Sequence, residues 1–200
     1  MSLKNTSEEY DIAIIGAGPA GLFLANYIED LNFIVLEEHE EVGKPLHCAG
    51  LLSLRGLERL GFIPQKSIQN KVKGAVFVSP SGLKLIVKSR RDEAIVVDRE
   101  YFDKELAEKV IDRIKLGVKV LNAVRKGRRW ILKTRRGNIY SKILVDAEGF
   151  RYNLSVKLGF NKPPKNLLLP AIQVELEKVK DLDEELSLIH ISEPTRPRLI

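Results

Sequence analysis

The residues Gly16-Ala17-Gly18-Pro19-Ala20-Gly21 have the G-x-G-x-x-G spacing with which a main chain can hold phosphates. Gly16 permits a tight turn, Gly18 lets the backbone approach a pyrophosphate, and Gly21 lets a helix pack closely against a strand. Pro19 and Ala20 sit where that helix opens, with its N-terminal amides facing the negative charge. Glu37 follows about 20 residues on, at the end of the next apolar run, where a carboxylate accepts a hydrogen bond from the ribose of an adenosine. Glycines at this spacing also serve plain turns, so the specificity comes from the strand before them, the helix after them and the acid beyond. Glu38 is expected to be a solvated neighbour of Glu37, the alternative being that it shares or replaces the ribose role. The fingerprint does not separate FAD from NAD, because a ribose-binding acid suits both.

Other reactive side chains are few. Cys48 is the only cysteine, so the sequence supports neither a disulfide framework nor a metal cluster, and no metal is expected. A lone cysteine is usually a small buried hydrophobe, and only Lys44 and His47 stand near it to favour a thiolate. His47 is expected to be a surface or structural histidine. No residue is assigned as catalytic.

The elements that must position these groups follow from periodicity. Tyr10 to Ile15 is a short apolar run, Ala20 to Asp30 a helix, and Phe33 to Leu36 a second apolar run, which together make a β-turn-α-β unit. Val72 to Ser79 and Leu83 to Lys88 meet at Pro80-Ser81-Gly82 as a hairpin. After the strand Ala94 to Val97, Asp98 can cap a helix whose apolar positions Phe102, Leu106, Val110 and Ile114 recur every four residues and which Gly117 ends. Short strands are expected at Val118 to Ala123, Arg129 to Lys133, Ile139 to Tyr140 and Ile143 to Val145, and a further one at Ala171 to Val179.

Three stretches carry a resemblance to a known family. Glu37 to Ser53, EEHEEVGKPLHCAGLLS, resembles the segment after the ribose acid in geranylgeranyl reductases, with Gly43, Pro45, Cys48, Ala49 and Gly50 as the matching residues. Val97 to Leu106, VDREYFDKEL, resembles the segment in which an arginine reaches FAD, here Arg99. Ile143 to Gly149, ILVDAEG, resembles the second FAD fingerprint, with Asp146 and Gly149 passing close to the pyrophosphate. Family members often have a serine three residues after that glycine, where Tyr152 stands here.

What the resemblance implies is an α/β protein with a Rossmann-like FAD-binding domain of the glutathione-reductase and aromatic-hydroxylase type, carrying an inserted β-hairpin. Residues 1–160 would be an incomplete FAD-binding domain and 161–185 the start of a substrate domain. It further implies FAD as cofactor, Cys48, Ala49 and Gly50 beside the flavin, and backbone contact from Ala123 near the adenine. The expected activity is reduction of carbon-carbon double bonds in geranylgeranyl chains, with an isoprenoid lipid as substrate and NAD(P)H or a ferredoxin-like protein as electron donor. Rival functions on the same architecture are an aromatic-ring monooxygenase, a lycopene-cyclase-like protein, an electron-transfer flavoprotein dehydrogenase, or a non-catalytic dinucleotide-binding fragment. The later Gly-Asp element that closes over the flavin in this family has no counterpart after Gly159.

The formal charge of +6 raises the question of nucleic acid or an anionic membrane. The basic residues Arg125 to Arg129 and Lys133 to Arg136 surround Trp130, Ile131 and Leu132 and flank Gly127 and Gly137, which is the pattern of a solvated hairpin. No nucleic-acid partner is expected, and peripheral membrane contact is. No apolar run reaches the roughly 18 residues of a membrane span, and the acidic amino terminus differs from a signal peptide, so a cytoplasmic protein is expected. Leu186 to Pro197, LSLIHISEPTRP, resembles the translation of a sequencing adapter. Glu185 is therefore expected to be the last biological residue, and Leu186 to Ile200 a non-native tail without consistent contacts; Pro194 and Pro197 also oppose helix and central strand.

Overall fold

Apolar runs of Ile, Val and Phe set the first elements: strand β1 (Glu9–Ile15), helix α1 (Pro19–Tyr27) and strand β2 (Phe33–Leu36). The chain continues through β3 (Leu51–Ser53), helix α2 (Leu54–Arg59), β4 (Ile68–Val72), β5 (Gly74–Val78), β6 (Lys84–Lys88) and β7 (Ala94–Val97). Helix α3 (Arg99–Ala107) tightens into a 3-10 segment and enters β8 (Ile114–Lys115), followed by β9 (Val120–Lys126), β10 (Arg129–Thr134) and β11 (Gly137–Asp146). Helix α4 (Asn153–Lys157) and strand β12 (Leu186–His190) complete the order. This computed structural model describes residues 9–46, 48–177, 179–180 and 182–191. His47 and the expected tail from Ser192 onward, with Pro194 and Pro197, lie outside the described residues.

The chain divides into two compact units, Met1–Leu46 with Glu100–Ile172, and His47–Arg99 with Gln173–Ile200. The first is built on a six-stranded sheet in the order β8-β2-β1-β11-β10-β9. Strand β1 lies at its centre and pairs in parallel with β2 on one side and β11 on the other. A central parallel strand is covered on both faces, which is why β1 and β2 are nearly continuous in apolar residues. On one face Ala13, Ile15, Ile34 and Leu36 join Ala123, Leu132, Ile139 and Leu154 in a buried cluster. The other face carries Ile14 and Val35, both fully buried. Asn26 of α1 fixes that side by donating to the carbonyls of Leu22 and Leu106, each at 2.8 Å.

The expected β-turn-α-β unit and mixed α/β architecture are present, with three differences. The helix after Asp98 stops at Ala107, and Ile114 leaves the helical phase to pair with Val35 as β8. An open edge on β2 offers backbone partners that a helix end lacks. Ile139 to Val145 form one continuous strand with no break between, because β11 is zipped to β1 and β10 together. Residues 171–179 contain no strand among the described residues.

The second unit holds two three-stranded sheets, β3-β7-β4 and β12-β5-β6. The expected hairpin is β5-β6, with Gly82 in the turn. Leu186 to His190 does not lie free as expected, since it pairs in parallel with β5 from Leu186↔Gly74 to His190↔Val78. The physical cause is upstream of the tail. Glu185 is held by Lys73 and Lys88 and accepts the Lys73 amide on its carbonyl at 2.8 Å, so whatever follows enters the open edge of β5 in register. An unpaired edge accepts any strand-competent segment, and the alternating LSLIH is one. Among the described residues no helix is long and apolar enough to cross a membrane.

Candidate cofactor-binding site

In the first unit the register of the parallel strands fixes the site. Ile15 is level with both Leu36 and Asp146, so the next residues, Gly16, Glu37 and Ala147, emerge side by side at the carboxyl edge of the sheet. Ligands of open α/β sheets bind outside this edge. The three exits are tied by backbone hydrogen bonds, from Gly16 to the Leu36 carbonyl at 2.8 Å and from Ala147 to the Ile15 carbonyl at 2.9 Å.

The glycines differ in what requires them. Gly16 has φ +100°, and a Cβ there would lie 2.5 Å from the Ala147 carbonyl oxygen. A Cβ on Gly21 would lie 2.1 Å from the Gly16 carbonyl oxygen, so helix α1 can meet the loop only at a glycine. Gly18 has neither constraint: its backbone is extended and no atom lies within 4 Å of where a Cβ would stand. Nothing in the protein itself demands glycine at this position, whereas a pyrophosphate drawn against the main chain would. Pro19 occupies the first turn of α1, where a missing N–H costs nothing, and no side chain caps the helix amides. These features fit a dinucleotide.

Glu37 is 8% exposed and turned back onto the loop. Its Oε2 accepts the Ala17 amide at 2.8 Å, and its Oε1 accepts the His39 amide at 2.9 Å and lies 2.6 Å from His39 Nδ1. Glu38 beside it is partly exposed and ion-paired. It accepts hydrogen bonds from Lys119 at 2.5 Å and Arg151 at 3.2 Å, and the Lys119 ammonium, helped by Arg151, holds its carboxyl below the usual range. Glu38 thereby ties the end of β2 to the segments before β9 and after β11.

Asp146 and Gly149 lie on the turn that closes against Gly16. Asp146 accepts the Glu148 amide at 3.1 Å and the Ser155 hydroxyl at 2.5 Å. Glu148 caps α4 by accepting the amides of Leu154 and Ser155, at 2.6 and 3.1 Å. Between Asp146 and Ser155 the chain passes through a 3-10 turn and a left-handed residue, Tyr152 at φ +52°. His39 was missed because nothing in EEHEE marks which acid its ring will meet.

The remaining expected site residues are placed differently. Ala123 is not at a strand end: β9 runs on to Lys126, and the Ala123 side chain is inside the apolar cluster with Ile15 and Leu36. Cys48, Ala49, Gly50 and Arg99 belong to the second unit. There Gly50 abuts β7, with its carbonyl accepting the Val97 amide at 3.0 Å, so Gly50 and Arg99 share one strand end. Cys48 and Ala49 are exposed.

The parallel sheet, the glycine turn and the acid at the second strand end define a Rossmann-like dinucleotide-binding fold. The chain is homologous to proteins named digeranylgeranylglycerophospholipid reductase: that of Methanococcus aeolicus is 30% identical over 190 residues, covering 89% of this chain and 48% of the relative. No family model matches the sequence. Among solved structures, a geranylgeranyl bacteriochlorophyll reductase-like protein from Thermoplasma acidophilum superposes with a TM-score of 0.75 over 92% of this chain and 50% of that one, at 22% identity. A flavoprotein/dehydrogenase from Cytophaga hutchinsonii gives a TM-score of 0.63 over 79% of this chain and 44% of that one, also at 22% identity. The chain spans about half the length of the curated relatives it matches.

Proposed function

We propose that this chain is the FAD-binding portion of an oxidoreductase that reduces carbon-carbon double bonds in geranylgeranyl chains of isoprenoid lipids. The observation that carries the nucleotide site is Gly18, a glycine the fold does not need, at the open mouth of a loop faced by helix amides and flanked by Glu37. The choice of FAD, and of an isoprenoid substrate, draws on the names and folds of the relatives and on the three resemblances in the sequence.

On this reading the loop amides and α1 bind the pyrophosphate, Glu37 takes the adenosine ribose, and Asp146 and Gly149 approach the same pyrophosphate. The family resemblance assigns Ala123 a backbone contact with the adenine, and Cys48, Ala49, Gly50 and Arg99 contacts with the flavin. When bound, reduced FAD supplies the hydride. The protein's part is to orient the cofactor and exclude water. NAD(P)H or a ferredoxin-like protein is the electron donor, and the protein works in the cytoplasm at the membrane face. Residues 1–160 are the cofactor domain, 161–185 open the substrate domain, and 186–200 are non-native; the genomic reading frame across Glu185 tests that last boundary.

Titration of FAD and NAD into the protein carried through its natural reading frame beyond Glu185 tests the function. The expected result is a yellow protein that binds FAD in preference to NAD and oxidises its reduced flavin with a geranylgeranyl lipid. A purified protein that is colourless and gains no chromophore on incubation with FAD overturns it.

A further inference from the structure

We infer that His39 is a positioning residue for the adenosine ribose: it occupies Oε1 of Glu37 from both its main chain and its ring, and so leaves Oε2 as the oxygen that meets the ribose 2′-hydroxyl. This inference rests on the dinucleotide reading above and extends it to a residue outside the fingerprint.

An ionised carboxylate offers about four acceptor sites, two on each oxygen. On Glu37 the His39 amide at 2.9 Å and His39 Nδ1 at 2.6 Å fill those of Oε1, and the Ala17 amide at 2.8 Å fills one on Oε2. A single site on Oε2 remains, beside the glycine loop where the adenosine end of a dinucleotide lies. The terminal torsion of a glutamate is broad, so a carboxylate held only by Ala17 would turn freely about it. The ring of His39 removes that freedom before the ligand arrives, and a hydrogen bond set in advance costs less ordering on binding.

The main chain that carries the ring is itself held. The His39 carbonyl accepts the Gly117 amide at 2.9 Å, and Nε2 lies 3.9 Å from Glu38 Oε1. Glu38 is fixed by Lys119 and Arg151, so the imidazole stands between two placed carboxylates. Contact with Glu37 at 2.6 Å requires the proton on Nδ1, which defines the tautomer that holds the carboxylate.

The test compares ADP with 2′-deoxy-ADP, and FAD alongside, by calorimetric titration of the protein carried through its natural frame. Wild type should bind ADP roughly tenfold more tightly than 2′-deoxy-ADP, the value of one hydrogen bond to a charged group. His39→Ala should bring that ratio towards one and weaken FAD by about the same factor. His39→Asn, whose amide reaches the place of Nδ1–H, should restore both. An unchanged ratio in His39→Ala overturns the inference, as does an equal weakening of ADP and 2′-deoxy-ADP, the mark of a merely structural role. Where His39→Ala does not fold, His39→Gln leaves the Nδ1 position empty and gives the same comparison, with the ratio read in the same way. A wild-type protein that binds neither FAD nor ADP overturns the proposed function, whereas FAD binding with a ratio indifferent to His39 overturns this inference alone.

Discussion

Strands β1 and β6 each carry a run of consecutive aliphatic residues, Ile12 to Ile15 in one and Leu85 to Val87 in the other, and meet opposite fates. Within β1, Ala13 and Ile14 are completely buried, whereas in β6 Leu85, Ile86 and Val87 are 63%, 61% and 53% exposed. The difference lies in neighbours. β1 has a parallel strand on each side and packed layers above and below, while β6 is an edge strand whose two faces are uncovered in this chain. Both runs are continuous in apolar residues, so composition reports that a strand forms and says nothing of what covers it. A consequence is that the first unit is rigidly specified around its site and the second carries an apolar surface in want of a partner.

The largest test of that contrast is a single Cβ. Gly21→Ala forces a carbon to within 2.1 Å of the Gly16 carbonyl oxygen, backbone against backbone, and should cost upwards of about 4 kcal/mol in chemical denaturation. Gly61→Ala, in the second unit with open space around it, should cost only about 1–2 kcal/mol, through its left-handed backbone. Similar losses at both positions would refute the contrast.

Truncation of side chains comes next. Leu132→Ala, at a fully buried position, should destabilise the first unit by about 3 kcal/mol. Leu85→Ser should change stability by no more than about 0.5 kcal/mol while lowering the binding of a hydrophobic dye. A loss at Leu85 comparable to that at Leu132 would show that β6 is covered after all.

Inside the first unit, Gly18→Ala separates folding from binding. Stability should stay within about 0.5 kcal/mol of wild type, the new methyl group meeting nothing. FAD affinity should fall by roughly tenfold or more, as the methyl group holds the pyrophosphate off the backbone. Retained affinity in calorimetry would remove Gly18 from the site.

The smallest effect belongs to Glu185. Hydrogen bonds from Lys73, then Lys88, hold its carboxyl down to about 2 from a usual 4.5. A depressed carboxylate stabilises the fold above its unfolded pKa and loses that contribution as pH falls towards the folded value. The melting temperature of the wild-type second unit should therefore decline more steeply between pH 4.5 and about 2 than that of Glu185→Gln. Parallel curves would show that the pairs are too screened to matter, the usual outcome for exposed ion pairs.

The loop of Gly16, Gly18 and Gly21, the acid at Glu37 and the short buried strands around them were legible in residue order alone. These are local matters: a turn that needs positive φ, a period of two or 3.6, a count of about 20 residues from glycine to acid. Long-range pairing settled the rest. Whether Ile114 ends a helix or begins β8 depended on the free edge of β2, and whether Ala123 lay at a strand end or in the core depended on how far β9 zipped onto β10. The partners His39–Glu37, Lys119–Glu38 and Ser155–Asp146 share this origin: each depends on where the backbone aims two side chains at a strand end, and that direction is set by strand pairing and turn geometry rather than by residue identity.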